Sequence, residues 1–325
     1  METPVHQSRL RVPVSSLLIT IFAGVMWSQA DSLAQSTTTQ SDELTELRAQ
    51  AAHGDAGAMD RLGWHYHNGE DVKQDDGQAM VWFKKAADAG NVDANNMVGW
   101  LYFTGAGVQQ DYEQAVSYFQ KAADGGNAYA MNNLARCYRD GLGVEQDAKQ
   151  AMKWYQKSAD LGNTHGLNMV GWFYLNGIGT GRDYDKAVSD FKNASDAGNV
   201  DALCNLGICY EKGHGVARDV KMALAIYQKS ADLGAERGMY RIGLCYASGI
   251  AVAQDDTQAF LWFQKAAAKG QADAMGWLGR FYDAGRAVTK DEDKARQWFT
   301  KAADAGIPSA QKWLAAHAKG TNGDL

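Results

Sequence analysis

The sequence predicts an all-α chain, an α-solenoid of seven 36-residue helix-loop-helix repeats plus a half repeat at each end. Three observations carry this. Glycine stands at positions 54, 90, 126, 162, 198, 234, 270 and 306, a spacing of 36 residues without insertion or deletion. A fixed period of that length marks stacked supersecondary units. Counted from each glycine, small, aliphatic and aromatic residues recur at offsets +4, +8, +9 and +12, one face of a helix. An aspartate then stands at +21 in every complete repeat, heading a second apolar run.

The first element of each repeat is a helix. Offset +4 is small (Ala58, Ala94, Ala130, Gly166, Ala202, Gly238, Ala274, Ala310), and +8 is aliphatic (Leu62, Val98, Leu134, Val170, Leu206, Ile242, Leu278, Leu314). Offset +12 is tyrosine in all seven complete repeats, from Tyr66 to Tyr282. Positions +4, +8 and +12 are therefore assigned to the core. Gly63, Gly99, Gly171, Gly207, Gly243 and Gly279 occupy +9. Glycine within a helix costs about 1 kcal/mol against alanine, so these positions read as places where a neighbouring helix leaves no room for a Cβ.

A loop and a second helix complete the unit. Glycine at +15 (Gly69 to Gly285) marks the first helix's end, because a left-handed C-terminal residue favours glycine. The loop reads G-x-G-V-x-x-D, clearest at Gly105 to Asp111 and Gly141 to Asp147. Its aspartate (Asp75, Asp111, Asp147, Asp183, Asp219, Asp255, Asp291) is the expected N-cap of the second helix. Gln78, Gln114, Gln150 and Gln258 at +24 are placed to close a capping box. The second helix's apolar face reads Ala at +25, Trp or Tyr at +28, Phe or Tyr at +29, and Ala or Ser at +32 and +33; Trp82, Trp154, Trp262 and Trp298 at +28 are assigned to the core.

The stretch Ala94 to Gly126, A-x-x-x-V-G-x-x-Y-x-x-G-x-G-V-x-x-D-x-x-x-A-x-x-Y-F-x-K-A-A-x-x-G, resembles the Sel-1-like repeat (SLR), a relative of the tetratricopeptide repeat with a longer loop between its helices. The match runs unbroken from residue 54 to 306. Tetratricopeptide units are nearer 34 residues and lack the G-x-G-V-x-x-D loop. The fourth repeat departs most, with Thr180 for Val, Asp190 for the +28 aromatic and Asn193 for Lys.

The flanks read differently. Asp42 to His53 aligns with a second helix carrying extra charge, and Pro308 to Lys319 with a first helix, so the repeat array is assigned to residues 41–319 with a polar tail at 320–325. Arg9 and Arg11, the uncharged run Val12 to Trp27 and the small residues of Ser32-Leu33-Ala34 describe a secretory signal peptide over 1–34. Cleavage is expected after Ala34, with Ala30 as the alternative and an uncleaved transmembrane helix as the competing reading. Residues 35–40 form a flexible leader. These features place the mature protein in the periplasm or outside the cell, without stable membrane insertion.

Composition and chemistry mainly exclude. Thirty-two Lys and Arg against 38 Asp and Glu give a formal charge of −6, and no basic tract offers nucleic acid a surface. Cys137, Cys209 and Cys245 all fall at offset +11 of first helices, where equivalent positions of neighbouring repeats should lie roughly 10 Å apart, beyond disulfide reach. They and Cys204 are expected as buried free thiols, a Cys204–Cys245 contact remaining open. Ser189-Asp190-Phe191-Lys192 matches S-x-x-K, but no S-D-N or K-T-G partner accompanies it. His65 and His67 lie two apart on a helix and diverge, short of the converging ligands zinc needs. Neither metal nor cofactor is expected.

In helical-pair repeats the first helices line the concave face, and offsets +3, +6, +7, +10 and +13 are expected to look outward there. Offset +10 reads Trp64, Trp100, Arg136, Trp172, Ile208, Leu244 and Arg280, rich in the residue types that dominate binding hot spots. This stripe is the candidate binding site for a protein or peptide partner; packing against the adjacent helix is its alternative role. Met97, Phe103, Met169, Asn132, Asn133, Asn168, Asn205 and Trp277 are expected to add contacts. The function expected is an exported, non-enzymatic interaction scaffold. The resemblance implies adaptors, regulators of envelope signalling or binders of host proteins such as secretory immunoglobulin. A β-lactamase-like or envelope-polymer hydrolase and a structural spacer are the competing classes.

Overall fold

A computed structural model describes residues 43–317. The expected signal segment with its Ala34 cleavage point, the leader and the polar tail lie outside the described residues. Every regular element among those residues is a helix. A first helix α1 covers 43–52. Seven pairs follow: α2 (Ala56–Asn68) with α3 (Asp76–Asp88), α4 (Val92–Thr104) with α5 (Tyr112–Asp124), α6 (Ala128–Asp140) with α7 (Ala148–Asp160), and α8 (Thr164–Asn176) with α9 (Tyr184–Asp196). Then come α10 (Val200–Lys212) with α11 (Val220–Asp232), α12 (Glu236–Ser248) with α13 (Asp256–Ala268), α14 (Ala272–Ala284) with α15 (Glu292–Asp304), and finally α16 (Pro308–His317). Two compact units divide the chain, one ending at Lys121 and one beginning at Ala122. Both are built on the same plan.

The ends of the helices are set by local chemistry. Each second helix starts on its +21 aspartate, whose carboxylate accepts a backbone N–H from the first turn in all seven repeats. The aspartate's own N–H donates to the carbonyl of the +12 tyrosine at 2.8–3.0 Å, again in all seven. That bond replaces the expected capping box, since the N–H that Gln78, Gln114, Gln150 and Gln258 were to bind is already used. First helices start on a cap the sequence reading missed, at +1: the side chains of Asp55, Asn91, Asn127, Asn163, Asn199 and Gln271 accept the N–H three residues on. Ala235 stands at this place before α12 with no such bond. Ala235→Asn is therefore expected to raise unfolding free energy by about 1 kcal/mol, the worth of a missing N-cap, read as a higher urea midpoint at unchanged slope.

Each first helix stops at its +15 glycine in the left-handed conformation, φ between 66° and 75°. Two residues later the loop turns left-handed again. A Cβ on Gly107 would lie 2.2 Å from the backbone carbon of Asp76, so the loop sits directly on the opening turn of the preceding second helix.

Core packing follows the repeat, with two corrections. Offsets +4, +25 and +29 are buried throughout the complete repeats, and +8 from Leu62 to Leu278. The +9 glycines do face a close neighbour, and it is the +29 ring of the same repeat: an added Cβ would fall 2.4–2.9 Å from Phe83, Phe119, Phe191, Tyr227, Phe263 or Phe299. The +12 tyrosines, however, are only half-buried in every repeat. Their hydroxyls need a polar outlet; Lys84 Nζ donates to the Tyr102 hydroxyl at 2.8 Å. The deeply buried residue is its neighbour at +11, namely Leu101, Cys137, Phe173, Cys209, Cys245 and Phe281. The +28 aromatics are also boundary residues. Trp82, Trp262 and Trp298 are half-buried, while Trp154 alone is buried. Lysines three residues on lie over all four rings, 4.0–4.5 Å from the centroids.

Successive repeats meet through a size match. Where +32 is serine, at Ser158 and Ser230, the next +4 residue is glycine, Gly166 or Gly238, and a Cβ there would come within 2.9 Å of the serine side chain. Where +32 is alanine, as at Ala194 and Ala266, the next +4 is alanine, Ala202 or Ala274.

Candidate functional site

The +10 positions lie at one register on the first helices, and their surroundings differ. In the first unit Trp64 is 38% exposed and meets Phe83 edge-on, with centroids 5.7 Å apart. Trp100 is half-buried and stacks on Phe103 at 5.9 Å. In the second unit Arg136 and Arg280 are exposed, the Arg280 guanidinium lying 5.1 Å from the Trp277 ring. Trp172, Ile208 and Leu244 are half-buried and rest on core clusters. Helices α8, α10 and α12 touch in sequence, which sets these three in successive rows. The stripe thus packs inward with part of each side chain and faces solvent with the rest.

The amide residues expected beside it are largely withdrawn from solvent. Asn132, Asn168 and Asn205 are 5–8% exposed. Asn132 Nδ2 donates to Asn163 at 2.9 Å, and Asn205 Nδ2 to Asn168 at 2.8 Å. Arg237 donates to Asn205 at 3.0 Å and pairs with Asp201 at 3.4 Å. Adjacent first helices pack side by side here, so Asn132 and Asn168 at +6 and Asn205 at +7 are spent joining them. Met97 and Phe103 are buried too, whereas Met169, Asn133 and Trp277 keep partial exposure.

Several carboxylates sit in unusual surroundings. Burial pushes the Glu211 carboxyl up, but a 2.8 Å bond from the Tyr227 hydroxyl, together with Lys212 and Arg241, holds it below its ordinary value. Burial, with Asp93 nearby, raises Asp60 to about 6. Asp190 occupies the +28 place where other repeats carry a ring. Burial and the Asp183 charge raise it to about 6 against the pull of Lys186, and its Oδ2 is buried without a partner. A carboxyl raised in the folded state adds stability that is complete below the ordinary carboxylate pKa and is lost as pH climbs through 6. Asp190→Asn is therefore expected to raise the melting temperature at pH 7.5, with the gain shrinking to nothing below about pH 4. Melting curves across that range check it.

Features suited to chemistry are sparse. Ser189 and Lys192 are both exposed on α9. His65 Nδ1 faces the Glu70 carbonyl at 2.9 Å, while His67 Nδ1 faces Asp76 at 2.6 Å, so the two rings serve different partners. Among the described residues no group of three or more His, Cys, Asp or Glu is placed to hold a metal. All four cysteines are free and buried; burial pushes Cys137 up to about 12 and Cys209 and Cys245 to about 11, leaving protonated thiols. One open recess of about 600 Å³ lies between α1 and α2, and another of about 420 Å³ at the turns around Asn199 and Gly234. No described helix is long and apolar enough to cross a membrane.

Comparison with known proteins agrees with this architecture. The family model for the Sel1 repeat matches residues 56–91, 92–127, 128–163, 164–199, 200–234, 237–271 and 272–307. Among solved structures, c5321, a protective antigen of uropathogenic Escherichia coli with an SLR fold, is 37% identical over 86% of this chain, with a TM-score of 0.63. This chain spans 60% of that antigen's length. A Sel1 repeat protein from Oxalobacter formigenes is 29% identical over 75% of this chain and 96% of its own, with a TM-score of 0.66. Yeast Tom70, 16% identical with 86% of this chain and 58% of its own covered, shares the fold at a TM-score of 0.54. No curated protein matched the chain. Proteins built from this repeat are generally non-catalytic interaction scaffolds, and the chain belongs to the Sel1 repeat family.

Proposed function

We propose that the chain is an exported, non-enzymatic adaptor that captures a protein or peptide partner on its first-helix face. The observation that carries this reading is the second unit's +10 row. Arg136 and Arg280 stand exposed on the face that also bears the half-buried Trp172, Ile208 and Leu244. Arginine and tryptophan dominate binding hot spots because each combines a large apolar surface with directed polar contacts. Export is supported by the sequence of residues 1–34 and by the likeness to an antigen recognised as protective. That likeness keeps binding of a host protein as a second reading.

The test is capture from envelope extract followed by titration of the captured partner. Arg136→Ala with Trp172→Ala should keep helicity and weaken binding by ~100-fold or more, since one hot-spot truncation typically costs about 2 kcal/mol. Normal binding by the well-folded double variant would move the surface elsewhere, to the G-x-G-V loops. Hydrolysis of a chromogenic β-lactam lost in Ser189→Ala would favour the enzyme class instead. Terminal sequencing should find Gln35 or Asp31 at the mature N-terminus, and retention of Met1 would defeat export.

A further inference from the structure

Asp190 sits where the other repeats carry an apolar clamp. Offset +28 is Trp82, Tyr118, Trp154, Ile226, Trp262 and Trp298 in the remaining six, and +31 is lysine in all of them. In five the lysine lies over the ring, 4.0–4.7 Å from its centroid. The fourth repeat has Asp190 and the exposed Asn193 at these two places, so ring and cation are lost together.

The carboxylate is rooted where two helices meet. A Cβ added to Gly171 of α8 would lie 3.1 Å from the Asp190 Cβ and 2.9 Å from the Phe191 ring. Asp190 Oδ2 is buried without a hydrogen-bond partner. Helix α9 packs on α8 and α10. Helix α8 carries no Asp, Glu, Lys or Arg, and its titratable groups are His165 and Tyr174. The charges that act on Asp190 are Asp183 and Lys186 at the start of α9, not Asp201, Glu211 or Lys212 of α10. Lys186 is itself held by Asp183 at 3.1 Å. An ionised Asp190 therefore gains hydration when α8 and α9 part.

We infer that the α8–α9 joint is an acid-closed latch within the second unit, shut while Asp190 carries its proton and opening locally once the carboxyl ionises. Repeats touch only their neighbours, so the opening stays within the fourth. Trp172 of the candidate face rests, with Tyr174, on the cluster that holds Ala187 and Phe191. An open latch removes that support, so this part of the face is firmer in mild acid than at neutral pH. Burial and Asp183 raise the carboxyl from 3.8 to about 6 in the closed form. Its contribution to closure is complete below the ordinary value and is lost as pH rises through 6, so the opening equilibrium grows about tenfold between pH 5 and 8.

Amide hydrogen exchange of the whole protein, resolved by peptide and corrected for the intrinsic pH dependence of exchange, tests this. Protection of residues 187–194 should fall about tenfold from pH 5 to 8, with no matching fall in α11 or α13. In Asp190→Asn the fall should vanish. Asp183→Asn keeps a capping oxygen but removes the charge that opposes ionisation and releases Lys186, so it should shift the fall to lower pH. Protection of α9 that does not change with pH, a fall that persists in Asp190→Asn, or one shared equally by α9, α11 and α13 would each overturn the inference.

Discussion

Phe173→Ala is expected to lower unfolding free energy by about 3–5 kcal/mol, the range for truncating a large, fully buried aromatic. Phe173 is at +11 of the fourth repeat with no exposed surface. It meets Tyr155 edge-on at 5.5 Å and Trp172 at 5.6 Å, contacts that an alanine cannot replace. The neighbouring Tyr174→Ala is expected to cost less than half as much, because Tyr174 is half-buried. Urea unfolding of the pair, fitted with a common slope, reads the difference. Equal losses would return the core to +12.

Gly243→Leu is expected to cost about 3 kcal/mol despite a gain of about 1 kcal/mol in helix propensity. An added Cβ at this position lies 2.6 Å from the Phe263 ring. That ring cannot retreat, since it stacks on Trp277 at 5.3 Å and packs on Phe281 at 5.9 Å. Gly243→Ala should cost less, because Ala135 fills the equivalent place in the third repeat. A melting temperature unchanged in Gly243→Leu would show that the two helices are not held at the distance described.

Residues of recurring chemical type made most of the fold legible in the sequence. The +15 glycines and the +21 aspartates recur as one residue type in every complete repeat, and glycine fills +9 in six of the seven, because one geometry admits little else. Offset +11 escaped notice for the opposite reason. Burial asks only for an apolar shape there, and leucine, cysteine and phenylalanine all supply it. The +12 tyrosine drew attention by its constancy, yet a recurring hydroxyl marks a boundary with water more than a core. The candidate site was legible as a register and not as an environment. Helical phase placed Asn132 and Asn168 on an outward face, but it carries no information on how closely the next first helix approaches. That approach decides whether an amide meets a partner protein or its own neighbour.

The serine–glycine and alanine–alanine joints constrain how the array can change length. Excising residues 164–199 would set the Ser158 side chain against the methyl group of Ala202, a mismatch where Gly166 now leaves room. Excising 164–235 would return Ser158 to a glycine, Gly238. For a cut that falls between Ser158 and Gly166, loss of two repeats keeps the joint matched, whereas loss of one needs a compensating change at the scar.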